Sequence, residues 1–101
     1  MDALAPDART EALAGLPAWE LDGEVAITRE FRFPDFARAM AFMTAAAMRA
    51  DRMDHHPVWS NVYRQVTVRL TTHHVGALTE LDVQLARYMD VIAAGLGAAG
   101  S

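Results

Sequence analysis

The chain has no cysteine in its 101 residues, which removes a disulfide framework, a thiolate metal site and a cysteine nucleophile together. That absence fits a reducing compartment. Basic residues are few: nine Lys and Arg against thirteen Asp and Glu leave a formal net charge of −4. They form no polybasic run, so direct binding to nucleic acid, which calls for a concentrated basic face, is not expected. Long apolar runs are missing too, and none approaches the roughly 20 residues that span a bilayer. Asp2, Asp7, Arg9 and Glu11 interrupt the first sixteen residues and leave no apolar core for a secretory signal. The expectation is a cytoplasmic domain with no membrane association.

What is present is ordinary globular composition, 52% apolar and 22% charged. The length corresponds to one domain over residues 1–101, small enough that self-association as a homodimer or homotetramer would help it bury surface. Thr10 to Leu16 reads as a short helix closed by Pro17. Trp19 to Val25 reads as a hairpin turning at Asp22-Gly23, since glycine supplies the positive φ of a tight two-residue turn. A strand from Val25 to Phe33 puts Val25, Ile27, Phe31 and Phe33 on one side, with Arg29 the polar exception in that row.

Pro34 and Asp35 signal a helix start, and Phe36, Met40, Met43, Ala47 and Ala50 form its expected apolar stripe. Pro57 disfavours the α region for His56, so that helix ends near Asp54. Alternation resumes from Val58 to Thr71, with Val62, Val66, Val68 and Leu70 set against Tyr63, Gln65, Thr67 and Arg69. A last helix opens at Thr79 with Asp82 as a capping-box-like partner and a stripe of Leu81, Leu85, Tyr88 and Ile92. Gly95 to Ser101 reads as a fraying tail. The expected fold class is α+β: a four-stranded antiparallel sheet with helices packed on one face, in the order α-β-β-α-β-β-α.

All four histidines lie between positions 55 and 74, as His55-His56 followed by Pro57 and as His73-His74. Imidazole, with an unperturbed pKa of about 6.5, both gives and takes protons near neutrality. Taken singly, each pair has a plain structural reading, as a carbonyl cap or a solvated loop. Spacing decides whether they act together. One continuous strand from Val58 to Thr71, rising about 3.3 Å per residue, would hold the pairs roughly 40 Å apart. A hairpin break near Arg64-Gln65 brings them back together, and that arrangement is expected.

The run Asp54-His55-His56-Pro57-Val58-Trp59, then Asn61-Val62-Tyr63, then Thr72-His73 and Leu78-Thr79-Glu80-x-Asp82, closely resembles the pterin-4a-carbinolamine dehydratase family. That family also serves in vertebrates as a dimerisation cofactor of a homeodomain transcription factor. Upstream, Ile27-Thr28-Arg29-Glu30-Phe31-Arg32-Phe33 fits the family's Ile-x-Arg-x-Phe-x-Phe strand, and Asp51 stands where many members have Glu. Gly76-Ala77 reverses the family's order of small residues, and His74 falls at a variable position and receives no role. The resemblance spans about Leu16 to Ile92.

The resemblance implies a homo-oligomeric enzyme with a metal-free site and no cofactor, which removes water from 4a-hydroxytetrahydropterin to give quinonoid dihydropterin in tetrahydrobiopterin recycling. Such a dehydration needs one proton delivered to the departing hydroxyl and one removed from a ring nitrogen, work suited to imidazoles. Carried onto this chain, His55, His56 and His73 are the catalytic candidates. His55, His56, Pro57, Thr72 and His73 line the substrate, and Asp51, Trp59 and Asp82 support them. Asp82 either fixes a histidine tautomer or only caps the last helix. Two other classes compete. Three histidines and an aspartate are enough ligands for a zinc site, although neighbouring residues of extended chain point to opposite sides. A non-enzymatic module would instead pair its last helix with a partner's helices.

Overall fold

The computed structural model describes residues 1–100. Its elements run α1 (Pro6–Ala14), β1 (Glu20–Asp22), β2 (Ala26–Arg32), α2 (Phe36–Met53), β3 (Val58–Val62), β4 (Gln65–Leu70) and α3 (Glu80–Gly95). The strands form one antiparallel sheet in the spatial order β1-β2-β4-β3, the α+β architecture expected. Ile27, Arg29 and Phe31 of β2 pair with Leu70, Val68 and Val66 of β4, so all six share the face that α2 and α3 cover. Thr28, Glu30, Thr67 and Arg69 occupy the opposite face.

The core condenses around aromatic rings on that covered face. Phe42 of α2 sits 4.6 Å from Phe31 and 5.1 Å from Phe33, centroid to centroid, and Trp19 meets Phe31 edge-on at 5.9 Å. Such offset and edge-to-face pairs add about 0.5–1.5 kcal/mol each beyond the area they bury. Arg29 is buried in the same row. Its guanidinium lies 4.2 Å over the Phe31 ring and donates to Asp90 Oδ1 at 2.7 Å, and Trp19 Nε1 donates to the same oxygen at 2.8 Å. The charge is tolerated inside because an anion and a ring face surround it.

Several expectations need correction. The first helix starts at Pro6 rather than Thr10, because Pro6 at the first helical position and Asp7 in the first turn make the earlier start favourable. The β1–β2 turn spans three residues, since Asp22 pairs with Ala26, and it leaves Val25 exposed in the turn. The buried stripe of α2 is Ala39, Phe42, Ala46 and Ala50, with Phe36 and Ala47 exposed and Met40 and Met43 half-buried. In α3 the buried positions are Asp82, Val83, Leu85, Ala86, Met89 and Ala93, while Leu81, Tyr88 and Ile92 flank them. Both helices turn small residues inward, which lets them approach the sheet and each other closely.

The C-terminal stretch is not a loose tail through Gly100: Ala98 is buried, and Ala99 N–H donates to the Arg32 carbonyl at 2.9 Å. Gly97, at φ 80°, packs against the Pro34 ring, and a Cβ there would sit 3.3 Å from Pro34 Cγ. Ser101 lies outside the described residues.

The hairpin that decides the site is present. Val62 pairs with Gln65 across a turn at Tyr63-Arg64, one residue earlier than expected. Tyr63 adopts φ 53°, and the Asn61 side-chain amide donates to the carbonyls of both Tyr63 and Gln65 at 3.0 Å. The turn leaves Val62 exposed, on the face opposite Val66.

Candidate active site

His55 owes its position to the way α2 ends. Asp54 takes the left-handed conformation, φ 51° and ψ 44°, and its N–H reaches the Asp51 carbonyl, while His55 N–H reaches back to the Ala50 carbonyl at 3.0 Å. This paired closure is a Schellman motif, the usual helix stop, with aspartate in the place glycine most often holds. The reversal turns His55 inward, where it is 6% exposed, and leaves His56 outside as Pro57 leads into β3.

Asp82 comes from the other direction. Thr79 caps α3, its hydroxyl accepting from Leu81 N–H at 3.3 Å, and Asp82 Oδ2 accepts from Thr79 N–H at 2.9 Å, completing the capping box. Asp82 is fully buried, and its other oxygen, Oδ1, meets His55 Nε2 at 2.5 Å. One carboxylate thus caps the last helix and also contacts a histidine.

Thr72 closes the arrangement. It follows β4, is 1% exposed, and donates its hydroxyl proton to Asp82 Oδ2 at 2.8 Å. Beyond it the chain makes a tight loop: Thr72 N–H bonds to the Ala77 carbonyl, and Val75 and Gly76 N–H return to the Thr72 carbonyl. Gly76 has φ 72°, a conformation that explains glycine at this position. His73 and His74 stand exposed on that loop.

The structure thus brings together His55, Thr72 and Asp82 by direct contact, with His56 and His73 as their immediate chain neighbours on the surface. Asp51 lies on the exposed side of the last turn of α2, and its side chain makes none of the contacts joining the two histidine segments. Trp59 is half-buried on the covered face of β3, packed against the core. The sequence reading named Thr79 only as the cap of the last helix and did not anticipate the 2.8 Å contact of its hydroxyl with that of Thr72.

Electrostatically the site is a buried imidazole–carboxylate dyad. Asp82 Oδ2 accepts from Thr72 and Thr79, and Oδ1 is the oxygen that faces His55 Nε2. Among the described residues His55 Nδ1 has no hydrogen-bond partner, yet no solvent-sealed side-chain nitrogen or oxygen there lacks one. Nδ1 is therefore the ring atom open to the outside. Among the described residues no three His, Asp or Glu side chains converge as a metal-binding group. Nor is any helix among the described residues long and apolar enough to cross a membrane.

Comparison with known proteins identifies the family. The family model described as pterin 4 alpha carbinolamine dehydratase matches residues 2–92. A protein of Bradyrhizobium sp. (strain BTAi1) assigned as a pterin-4-alpha-carbinolamine dehydratase is 53% identical over 97 residues, covering 95% of this chain and 98% of that one. One of Brucella ovis, assigned likewise, is 50% identical over 84 residues, covering 82% of this chain and 87% of that one. The crystal structure of a transcriptional coactivator/pterin dehydratase from Brucella melitensis superposes with a TM-score of 0.87 at 46% identity, covering 91% of this chain and 99% of that one. A pterin dehydratase-like protein described as a RuBisCO assembly factor in the alpha-carboxysome shares the fold alone, with a TM-score of 0.65 at 20% identity over 75% of this chain and 89% of that one. With its fold, its histidine segments and its relatives in agreement, the chain belongs to the pterin-4-alpha-carbinolamine dehydratase family, a family of hydro-lyases.

Proposed function

We propose that this protein dehydrates 4a-hydroxytetrahydropterin to quinonoid dihydropterin, by proton transfer between the substrate and histidines of the two segments that meet at Asp82. The observation carrying the reading is that His55 and Thr72, one from each segment, bond to the same buried carboxylate. In the reaction the C4a–O bond breaks, the departing hydroxyl takes a proton and leaves as water, and a ring nitrogen gives up a proton. One protonated and one neutral imidazole supply both transfers, each contributing typically 10²–10⁴-fold.

His55 and His73 form the transferring pair in this reading. His56, exposed beside His55, orients the pterin, and Pro57 fixes the turn between them. Thr72 has its hydroxyl directed into the protein, so its part is to hold Asp82, and only its backbone is left to line the ring. The physiological setting that goes with the reading is a cytoplasmic homo-oligomer serving tetrahydrobiopterin recycling. The total absence of cysteine and the small size of the domain support that setting.

A direct assay tests it: the purified chain is mixed with freshly generated 4a-hydroxytetrahydropterin, with and without a strong chelator, and quinonoid product is followed by absorbance. Acceleration over the spontaneous reaction, unchanged by chelation, is the expected result. No acceleration overturns the proposal, and loss of rate on chelation overturns the histidine mechanism.

A further inference from the structure

The hydrogen bonds that lead to Asp82 have a direction. Thr72 has one hydroxyl proton, and it goes to Asp82 Oδ2 at 2.8 Å. The contact of 2.8 Å between Thr72 Oγ1 and Thr79 Oγ1 must then use the proton of Thr79. Thr79 Oγ1 in turn accepts from Leu81 N–H at the first turn of α3. Read in order, Leu81 N–H donates to Thr79, Thr79 to Thr72 and Thr72 to Asp82, whose other oxygen meets His55 Nε2. Thr72, Thr79 and Asp82 are 1%, 0% and 0% exposed, so water does not compete for these bonds, and each polarises the next.

We infer that Thr72 and Thr79 are positioning residues that keep Asp82 a pure acceptor, so that His55 is held as the Nε2–H tautomer and exchanges protons with the substrate through Nδ1. This rests on the proposed dehydratase reading for its kinetic part only. The assignment gives Thr72 a task that helix capping does not require: the capping box is complete with Thr79 and Asp82, and the Thr72 hydroxyl adds nothing to it. It also gives the paired Thr72-His73 motif a physical reason. The residue next to an exposed histidine of one segment locks the carboxylate that orients the histidine of the other.

The test uses the intact protein, ¹⁵N-labelled, as wild type, Thr72→Val and Thr72→Ser. Two-bond ¹H–¹⁵N correlation spectra of the imidazoles report the tautomer without any substrate, and steady-state dehydration kinetics report kcat and KM. Wild type is expected to show His55 as a single Nε2–H tautomer. Thr72→Val is expected to lose that single signature and to lower kcat on the order of tenfold or more while leaving KM within about twofold. Thr72→Ser restores both. An Nδ1–H tautomer in wild type overturns the inference, and that measurement stands even if Thr72→Val does not fold. A Thr72→Val variant that keeps both tautomer and kcat overturns it, as does a Thr72→Ser variant as impaired as Thr72→Val. If wild type shows the tautomer pattern but no dehydration, the functional reading fails while the assignment of the tautomer holds.

Discussion

His55 and Asp82 stand 27 positions apart in the chain, and their side chains meet at 2.5 Å inside the protein. Each is delivered by the end of a helix: His55 by the C-terminal stop of α2, Asp82 by the N-terminal cap of α3. The same local chemistry that terminates the helices aims the two groups at each other. Helix ends are therefore both the structural joints of this fold and the frame of its candidate site.

Replacing Asp82 with Asn tests the coupling of stability to site geometry. The amide keeps the shape but puts a donor where an acceptor is required, leaving at least one of the His55, Thr72 or Thr79 donors without its partner. An unsatisfied buried donor costs about 1–3 kcal/mol, and more where the lost partner was charged. Chemical denaturation should show a loss of that order, together with a fall in dehydration rate of roughly a hundredfold from a mis-set His55. A variant as stable and active as wild type would remove Asp82 from both roles.

Asp54 sits where glycine is the usual residue. A β-branched side chain at its φ of 51° is a severe conflict, so Asp54→Val should destabilise by about 1–2 kcal/mol. Asp54→Gly should be close to neutral or slightly stabilising. Urea midpoints at constant slope measure both. If Val is tolerated as well as Gly, the helix stop is not what positions His55.

The Arg29–Asp90 pair predicts an asymmetry. Arg29 is 7% exposed, whereas the Asp90 side chain is 24% exposed and is also bonded by Trp19. Asp90→Ala takes away the carboxylate that the buried guanidinium and the indole N–H share, and should cost about 1–3 kcal/mol for the lost acceptor. Arg29→Met leaves the aspartate with Trp19 and solvent, and should cost clearly less. Equal losses in thermal unfolding would contradict this.

Asn61 is predicted to act through the hairpin. Its amide bridges the carbonyls of Tyr63 and Gln65, so Asn61→Ala removes two bonds worth about 0.5–1.5 kcal/mol each. Amide exchange in β3 should accelerate more than in β2, because β3 is an edge strand held only by β4. Uniform acceleration across the sheet would contradict a local role.

The sequence was most legible where one residue's chemistry acts locally. Asp35 does cap α2, accepting from Arg38 N–H at 2.8 Å, Thr79 and Asp82 do form the capping box, and Pro57 does lie just beyond the helix stop. The hairpin was deduced from a distance that a single strand would have imposed. Helix phase was less legible. Phe36 was read as the start of the buried stripe, but it is 47% exposed and the covered side is lined by alanines around Phe42. Side-chain size misled because close packing favours small residues. In α3 no hydropathy pattern selects Asp82 as a core position, since its burial depends on donors brought from β4 and α2. Arg29, a polar intruder in its strand, became intelligible only with Asp90, 61 positions later, in place. The resemblance to a known family supplied the proposed site roles, and the structure added the contacts that join His55, Thr72 and Asp82.

The most direct test of the central claim is kcat for 4a-hydroxytetrahydropterin dehydration by His73→Ala, measured beside its melting temperature. His73 is exposed on a loop whose shape is held by backbone bonds and Gly76, so the fold should be unaffected. The account predicts a fall in kcat of about 10²–10⁴-fold at an unchanged melting temperature. A kcat equal to that of wild type would contradict proton transfer by the two histidine segments.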